Sequence, residues 1–353
     1  MMNKFQIVEV GENFNHAGTK ATADITICAE KLGFKKLFVR MNTIKDTKFA
    51  KIQRQIGYYK DWKRCLNEID DKAIVLMQHP FHHTQLTRVD TLKTLKKKKH
   101  VKFISIVHDV EELRAFRYNN YYKKEFEIMV ELADIIVVHN NKMYRWFMEN
   151  GIEEKKLVNL EIFDYIQNVD ENKKIKFSKT ITVAGNLDIN KCKYINHLSE
   201  IEGININLYG PNFDENMRKF PNIDYKGSFP TDEISTKLDE GFGLVWDGDS
   251  IDGCLGLSGQ YLKYNNPHKL SLYLSSGLPV IIWNKAAEAD LVKKYKVGIC
   301  VESLYELSDV MKKINEEDYE IMLNNVRCLR NKLVKGYFGE KAIKEACCRI
   351  ERM

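Results

Sequence analysis

The chain has 353 residues, 44% hydrophobic and 29% charged, which is enough for two domains of ordinary size. Its net charge of +6 gives little support to nucleic-acid binding, and no run approaches the roughly 20 apolar residues that span a bilayer. The 8 cysteines show no zinc-ligand spacing and no secretory apolar region opens the chain, so a reduced, cytosolic protein without a structural metal is expected.

The first half alternates apolar runs with helical patterns. Strands are expected over 5–10, 36–40, 73–77, 101–107, 135–138 and 156–160, with helices over 22–32, 48–69, 84–98, 123–132 and 142–150 between them. Such alternation implies parallel strands with right-handed crossovers. The polar stretch 167–174 then breaks the pattern as a linker does. A second series of strands follows over 180–184, 206–209, 242–246 and 280–283, and a helical tail runs on from 316 with Tyr319, Met322, Val326, Leu329 and Leu333 along one side. The architecture expected is α/β, with two doubly wound domains facing across a cleft.

In doubly wound sheets ligands sit at the carboxyl ends of strands, so the loops there hold the candidate site residues. Ala17-Gly18-Thr19-Lys20 follows the first strand, and Gly18 and Thr19 can present a backbone N–H and a hydroxyl to a phosphate, or Thr19 can simply cap a helix. The spacing is not that of a Walker loop, which removes the main support for a kinase or ATPase. Lys93 and the run Lys96 to Lys99 can meet an anionic membrane surface, or end a helix in solvent, the plainer reading. His108 and Asp109 follow the strand at 101–107, with Glu111 and Arg114 just beyond. Asp109 is the first candidate for a base that takes a proton from an acceptor hydroxyl, Glu111 the second and His108 the third; a helix cap at Asp109 is the competing reading.

In the second half, Gly185 of Ala184-Gly185-Asn186 lets a backbone approach a sugar or phosphate, and Asn186 lies beside it. Tyr209, followed by Gly210, can stack on a base or close the core. Asp247 and Asp249 invite a divalent metal, although a loop role near the sugar is preferred. The most informative segment is 264–282. Asn266 and Pro267 suit a helix start, Leu270, Tyr273 and Leu274 recur at helical spacing, and Gly277 with Pro279 suits the stop. A helix N-terminus carrying Lys269, with His268 beside it, favours a diphosphate and hence a nucleotide-sugar.

The pattern Pro267-x-Lys269-Leu270-x-x-Tyr273-Leu274-x-x-Gly277-x-Pro279-Val280-Ile281 resembles the donor-binding helix of glycosyltransferases with the GT-B fold, two Rossmann-like domains. Together with Gly241 to Trp246, Ala17 to Asp24, His108 to Arg114 and Ala184 to Asn186, it is similar to a bacterial group containing adhesin glucosyltransferases and beta-1,6-galactofuranosyltransferases. One departure is Leu272, where many GT-B enzymes carry a ribose-binding glutamate. The resemblance implies an acceptor-side domain at 1–165, a linker at 166–178, a UDP-sugar domain at 179–325 and a C-terminal helix at 326–353 that packs back or serves a homo-oligomer. It implies an inverting, metal-independent transfer of galactofuranose or glucose from a UDP-sugar to a glycan on lipid or protein, at the inner face of the membrane if the acceptor is lipid-linked. UDP would meet Tyr209, Asn266 and Lys269, with no cofactor beyond the donor substrate. The other readings are a nucleotide-sugar epimerase, for which the extra carboxylates are unassigned, and a non-catalytic sugar-binding partner of another transferase.

Overall fold

The computed structural model describes residues 2–11, 17–168, 170 and 173–353, the side chains of residues 17–19 excepted. In the first half the elements are β1 (Lys4–Val10), α1 (Ala17–Lys31), β2 (Lys35–Arg40), α2 (Lys48–Glu68), β3 (Ile74–His79), α3 (Arg88–Lys98), β4 (Lys102–Val107), α4 (Glu111–Arg114), α5 (Asn120–Leu132), β5 (Ile135–Val138), α6 (Asn141–Glu149) and β6 (Leu157–Asn159). All six strands are parallel, in the order β2-β1-β3-β4-β5-β6. The central strands β3, β4 and β5 are buried almost throughout, as expected of apolar runs with helices on both faces. One core layer joins Phe5, Ile7, Val75 and Phe103 of the sheet to Tyr58, Trp62 and Cys65 of α2.

The second half contains β7 (Lys176–Ala184), β8 (Ile206–Tyr209), β9 (Ile223–Gly227), α7 (Ile234–Lys237), β10 (Glu240–Val245), α8 (Gly256–Tyr261), α9 (His268–Ser276), β11 (Val280–Trp283), α10 (Ala289–Tyr295), β12 (Gly298–Val301), α11 (Leu307–Lys313), α12 (Glu316–Leu333) and α13 (Tyr337–Glu351). Its sheet is again parallel, in the order β12-β11-β10-β7-β8-β9. The outer strands β9 and β12 escape the sequence pattern, because edge strands with one exposed face lack a continuous apolar run.

The chain divides into two compact units. One comprises Met1–Glu112, Arg117–Leu160 and Phe338–Met353, and the other Leu113–Phe116 and Glu161–Tyr337. The stretch read as a linker is docked on the second unit: Gln167 donates to the Ser275 carbonyl at 3.0 Å, and Lys173 to those of Leu238 at 2.6 Å and Ser276 at 3.3 Å. The helical tail is two helices, since Gly336, with φ +81°, interrupts it. Leu323, rather than Met322, completes the buried stripe of α12. α13 from Phe338 belongs to the first unit, where Arg349 donates to the Leu157 carbonyl at 2.8 Å and Glu340 pairs with Lys31 at 3.2 Å.

Candidate active site

In the second unit the chain runs outward from β7 through β8 to β9, and from β10 through β11 to β12 on the other side. The order therefore reverses between β7 and β10, and the carboxyl ends of those two strands flank the crevice that such sheets use for ligands. Gly185 and Asn186 follow β7, and Trp246 and Asp247 follow β10.

Helix α9 is fixed against this point by its buried face. Tyr273 is fully buried, and its hydroxyl accepts the Ala184 backbone N–H at 2.7 Å, at the last residue of β7. Gly243 of β10 makes room for that ring: a Cβ there would lie 2.1 Å from it. Ser271 donates to the Phe163 carbonyl at 2.6 Å, and Gly277, at φ +98°, closes the helix as its spacing foretells.

Lys269 lies one turn before Tyr273 on the same face. Its ammonium donates to the Trp246 carbonyl at 2.8 Å, just past the end of β10. Burial opposes the charge on Lys269, whereas the Asp247 carboxylate nearby favours it. The same burial pushes the Cys192 thiol up to about 11, so this neighbour is no nucleophile at neutral pH. Lys269 is thus a fixed cation at the switch point.

The helix start differs from expectation. Pro267 is the N-cap, without a side-chain cap bond, and the buried Asn266 amide instead donates to the Glu161 carbonyl at 3.2 Å. Pro267 thus brings no side-chain cap bond to the first turn of α9, which suits an anion better than a capped end. The His268 ring sits 5.7 Å from Phe163 and 5.9 Å from Tyr165, packed among aromatics.

Gly185 and Gly210 end adjacent strands in close contact. A Cβ on Gly210 would lie 1.7 Å from the Gly185 carbonyl oxygen, whereas Gly185 itself is exposed with nothing within 4 Å of that position. The exposed Asn186 side-chain oxygen accepts from Asp188 N–H at 3.1 Å and from the Asn212 side-chain amide at 2.8 Å, forming a local turn. Tyr209 is 6% exposed, its ring 6.3 Å from Phe229 and its hydroxyl donating to the Lys237 carbonyl at 3.3 Å. Of its two readings, the buried core residue is the one observed.

The loop after β10 is drawn tight around glycines. Asp247 accepts from Gly248 N–H at 2.8 Å, and Asp249 pairs with Lys193 at 3.5 Å. Among the described residues no group of three or more His, Cys, Asp or Glu side chains is arranged to hold a metal ion.

In the first unit the reversal falls between β1 and β3. Gly18 and Thr19 lie in the first turn of α1, and their side chains are outside the described residues. His108 and Asp109 follow β4: His108 N–H donates to the His79 carbonyl at 2.8 Å, and its ring meets the Gln78 side-chain oxygen at 2.6 Å. Asp109 is partly exposed and Glu111 is 4% exposed. α4 begins two residues after Asp109, so Val110, not Asp109, directly precedes it.

The sequence reading missed an ionisable cluster at the ends of β1 and β3. Glu9 accepts from Gln85 at 2.5 Å, Gln85 in turn accepts from Trp62 at 2.7 Å, and Arg88 forms a buried pair with Glu125. Burial raises the Glu9 carboxyl to about 7, against the pull of Arg88 and the Gln85 bond. Burial likewise holds His79 down near 3, so it is neutral at ordinary pH. The signal in the sequence was faint: one acid at the third alternate position after Phe5 and Ile7, where the strand pattern calls for an apolar residue.

Comparison with known proteins adds to this geometry. The family described as glucosyltransferase 3-like, N-terminal domain, matches residues 4–162, and its C-terminal domain counterpart matches residues 181–346. The chain is 32% identical to beta-1,6-galactofuranosyltransferase WbbI of Escherichia coli K12 over 242 residues, 67% of this chain and 69% of that one. It is 23% identical to glucosyltransferase 3 of Streptococcus gordonii over 337 residues, 94% of each. Among solved structures it is similar to a glycosyltransferase from Rickettsia africae, with a TM-score of 0.62 at 14% identity over 99% of this chain and 100% of that one. It is also similar to HepE of Anabaena in complex with UDP and glucose, with a TM-score of 0.58 at 11% identity over 99% and 100% of the two chains.

Proposed function

The chain belongs to the glucosyltransferase 3-like family of GT-B glycosyltransferases, and from that premise we propose that it moves galactofuranose or glucose from a UDP-sugar to a carbohydrate acceptor. The acceptor belongs to polysaccharide or glycoprotein assembly, and the transfer inverts the anomeric centre without a metal. The observation that carries the reading is Lys269, a fixed cation on the first turn of α9 at the β7/β10 switch point. An ammonium has three N–H donors, and one of them is used on Trp246. The others, with the backbone N–H groups of the turn, suit a diphosphate whose charge grows as the sugar leaves.

The chemistry is one displacement. The acceptor oxygen attacks the anomeric carbon, the bond to the UDP oxygen breaks, and the hydroxyl proton passes to a carboxylate. Asp109 has that role in this reading, with Glu111 and His108 after it. Glu9 is a further group, because its pKa near neutrality suits proton transfer. The relatives' names support both sugars, WbbI the furanose and glucosyltransferase 3 the glucose.

Calorimetric titration of the metal-free protein with UDP tests the donor site, repeated with magnesium or manganese. Metal-free binding is expected, and Lys269→Ala should weaken it on the order of a hundredfold, the scale of a lost charge-assisted phosphate contact. Unchanged affinity in that variant would refute the assignment. Binding only with metal would return Asp247 and Asp249 to the site as ligands. No UDP binding under either condition would favour a non-catalytic partner of another transferase.

A further inference from the structure

We infer that the outer face of α2 is a docking surface for an anionic lipid bilayer. Phe49, Ile52, Ile56 and Tyr59 stand 77%, 61%, 51% and 51% exposed. Their spacing of three, four and three residues aligns them in one stripe along the helix. The face opposite is already committed, since Ala50, Tyr58, Trp62 and Cys65 fill the core of the first unit. Leu86, 70% exposed, continues the apolar surface across an open groove of about 880 Å³. Single exposed apolar residues are ordinary, but an aligned stripe with its own continuation marks a surface that meets something.

The charge around the stripe selects the occupant. Lys48, Lys60 and Lys63 are exposed on the same helix, whereas Lys51 is paired with Asp46 at 2.9 Å. Asp61, the one acid inside this stretch of helix, is buried and paired with Arg40 and Arg64. A second copy laid along the same stripe would bring lysines against lysines. A bilayer of anionic lipid receives both the apolar residues and the cations. The lysine run on α3 is not this surface: Lys96 is held by Asp134 at 2.9 Å, Lys93 by Glu131 at 2.9 Å, and Lys99 by the Ile69 carbonyl at 2.6 Å.

The test is sedimentation of the full chain with vesicles of phosphatidylcholine alone, or mixed with phosphatidylglycerol. Binding is expected to the mixed vesicles, weakened by salt as exposed charge attraction is. Phe49→Gln/Ile52→Gln/Ile56→Gln should weaken it on the order of tenfold or more, with UDP affinity unchanged. Lys48→Glu/Lys60→Glu keeps the stripe and reverses the charge; it should also lose binding to the mixed vesicles, and decides the matter should the first variant fail to fold. The inference is overturned if the wild type binds neither vesicle, binds both equally, or is matched by both variants. It is likewise overturned if the stripe variant changes the size of the particle in solution while no vesicle is bound, which would make a second copy the occupant. Because the readout is vesicle binding, the outcome is separate from whether UDP is the donor nucleotide.

Discussion

Tyr273 ties three elements together through one hydroxyl. It accepts the Ala184 N–H at 2.7 Å, its ring covers Gly243, and it lies four residues from Lys269 on the same helix. Tyr273→Phe keeps the ring and strands the buried N–H, which should cost about 1–3 kcal/mol in denaturant unfolding. Glu9 makes a prediction about pH. Its carboxyl titrates near 7 in the folded chain and near 4.5 when unfolded, so its contribution is fully present below 4.5 and is lost as the pH rises through 7. Glu9→Gln stays neutral throughout, so its stability relative to wild type should grow from pH 4.5 to pH 8, by on the order of 1–3 kcal/mol. Thermal unfolding across that range checks it, and a constant difference would show that Glu9 is ionised in the fold. At this scale the sequence marked the place of Lys269 in the first turn of α9 and the cap at Gly277, which depend on near neighbours in the chain. It could not reveal Glu9, because Gln85 and Arg88 come from the β3-to-α3 crossover, far along the chain, and reach it only in three dimensions.

Among the elements, α9 and β11 were legible because proline, glycine and an apolar run mark both boundaries within 20 residues. The polar stretch before β7 carries no such marks. Its composition is that of a free linker, yet Lys173 spans from it to carbonyls of Leu238 and Ser276. Burial lowers the Lys173 pKa to about 8, the mark of a cation held inside rather than solvated. Lys173→Met should therefore destabilise the chain by about 2–4 kcal/mol, because it leaves several carbonyls without a donor. A change below about 0.5 kcal/mol in urea unfolding would mean that the segment behaves as a surface linker after all. Asp109 belongs to this scale too, since its role depends on the end of β4. Asp109→Asn should spare UDP affinity and cut transfer by on the order of a hundredfold or more, the usual range for a lost general base. Full transfer would pass the role to Glu111, His108 or Glu9.

For the whole molecule, the alternation of strands and helices was enough to infer two parallel sheets, and among the described residues both are present with six strands each. The order of strands was not legible, because nothing local says whether a crossover turns left or right along the sheet. That order is what puts the reversal between β7 and β10, and with it Lys269 beside the end of β10. The allocation of α13 was equally hidden, since its apolar side fits any complementary surface. Ending the chain after Gly336 removes Phe338, Ile343, Ala346 and Ile350 from the core of the first unit. Such a chain should lose several kcal/mol of that unit's stability, with unfolding of the two units separating in calorimetry.

The return of α13 to the first unit also sets an order of events during synthesis. A ribosome releases β1 to β6 long before the helix that completes their unit, and the whole second unit emerges in between. The earlier half must wait with an apolar surface uncovered for the time it takes to make about 180 further residues, roughly 10–40 s at bacterial-like rates. The nascent first unit is therefore a stage open to chaperones and to aggregation, and that unit is completed only when α13 emerges.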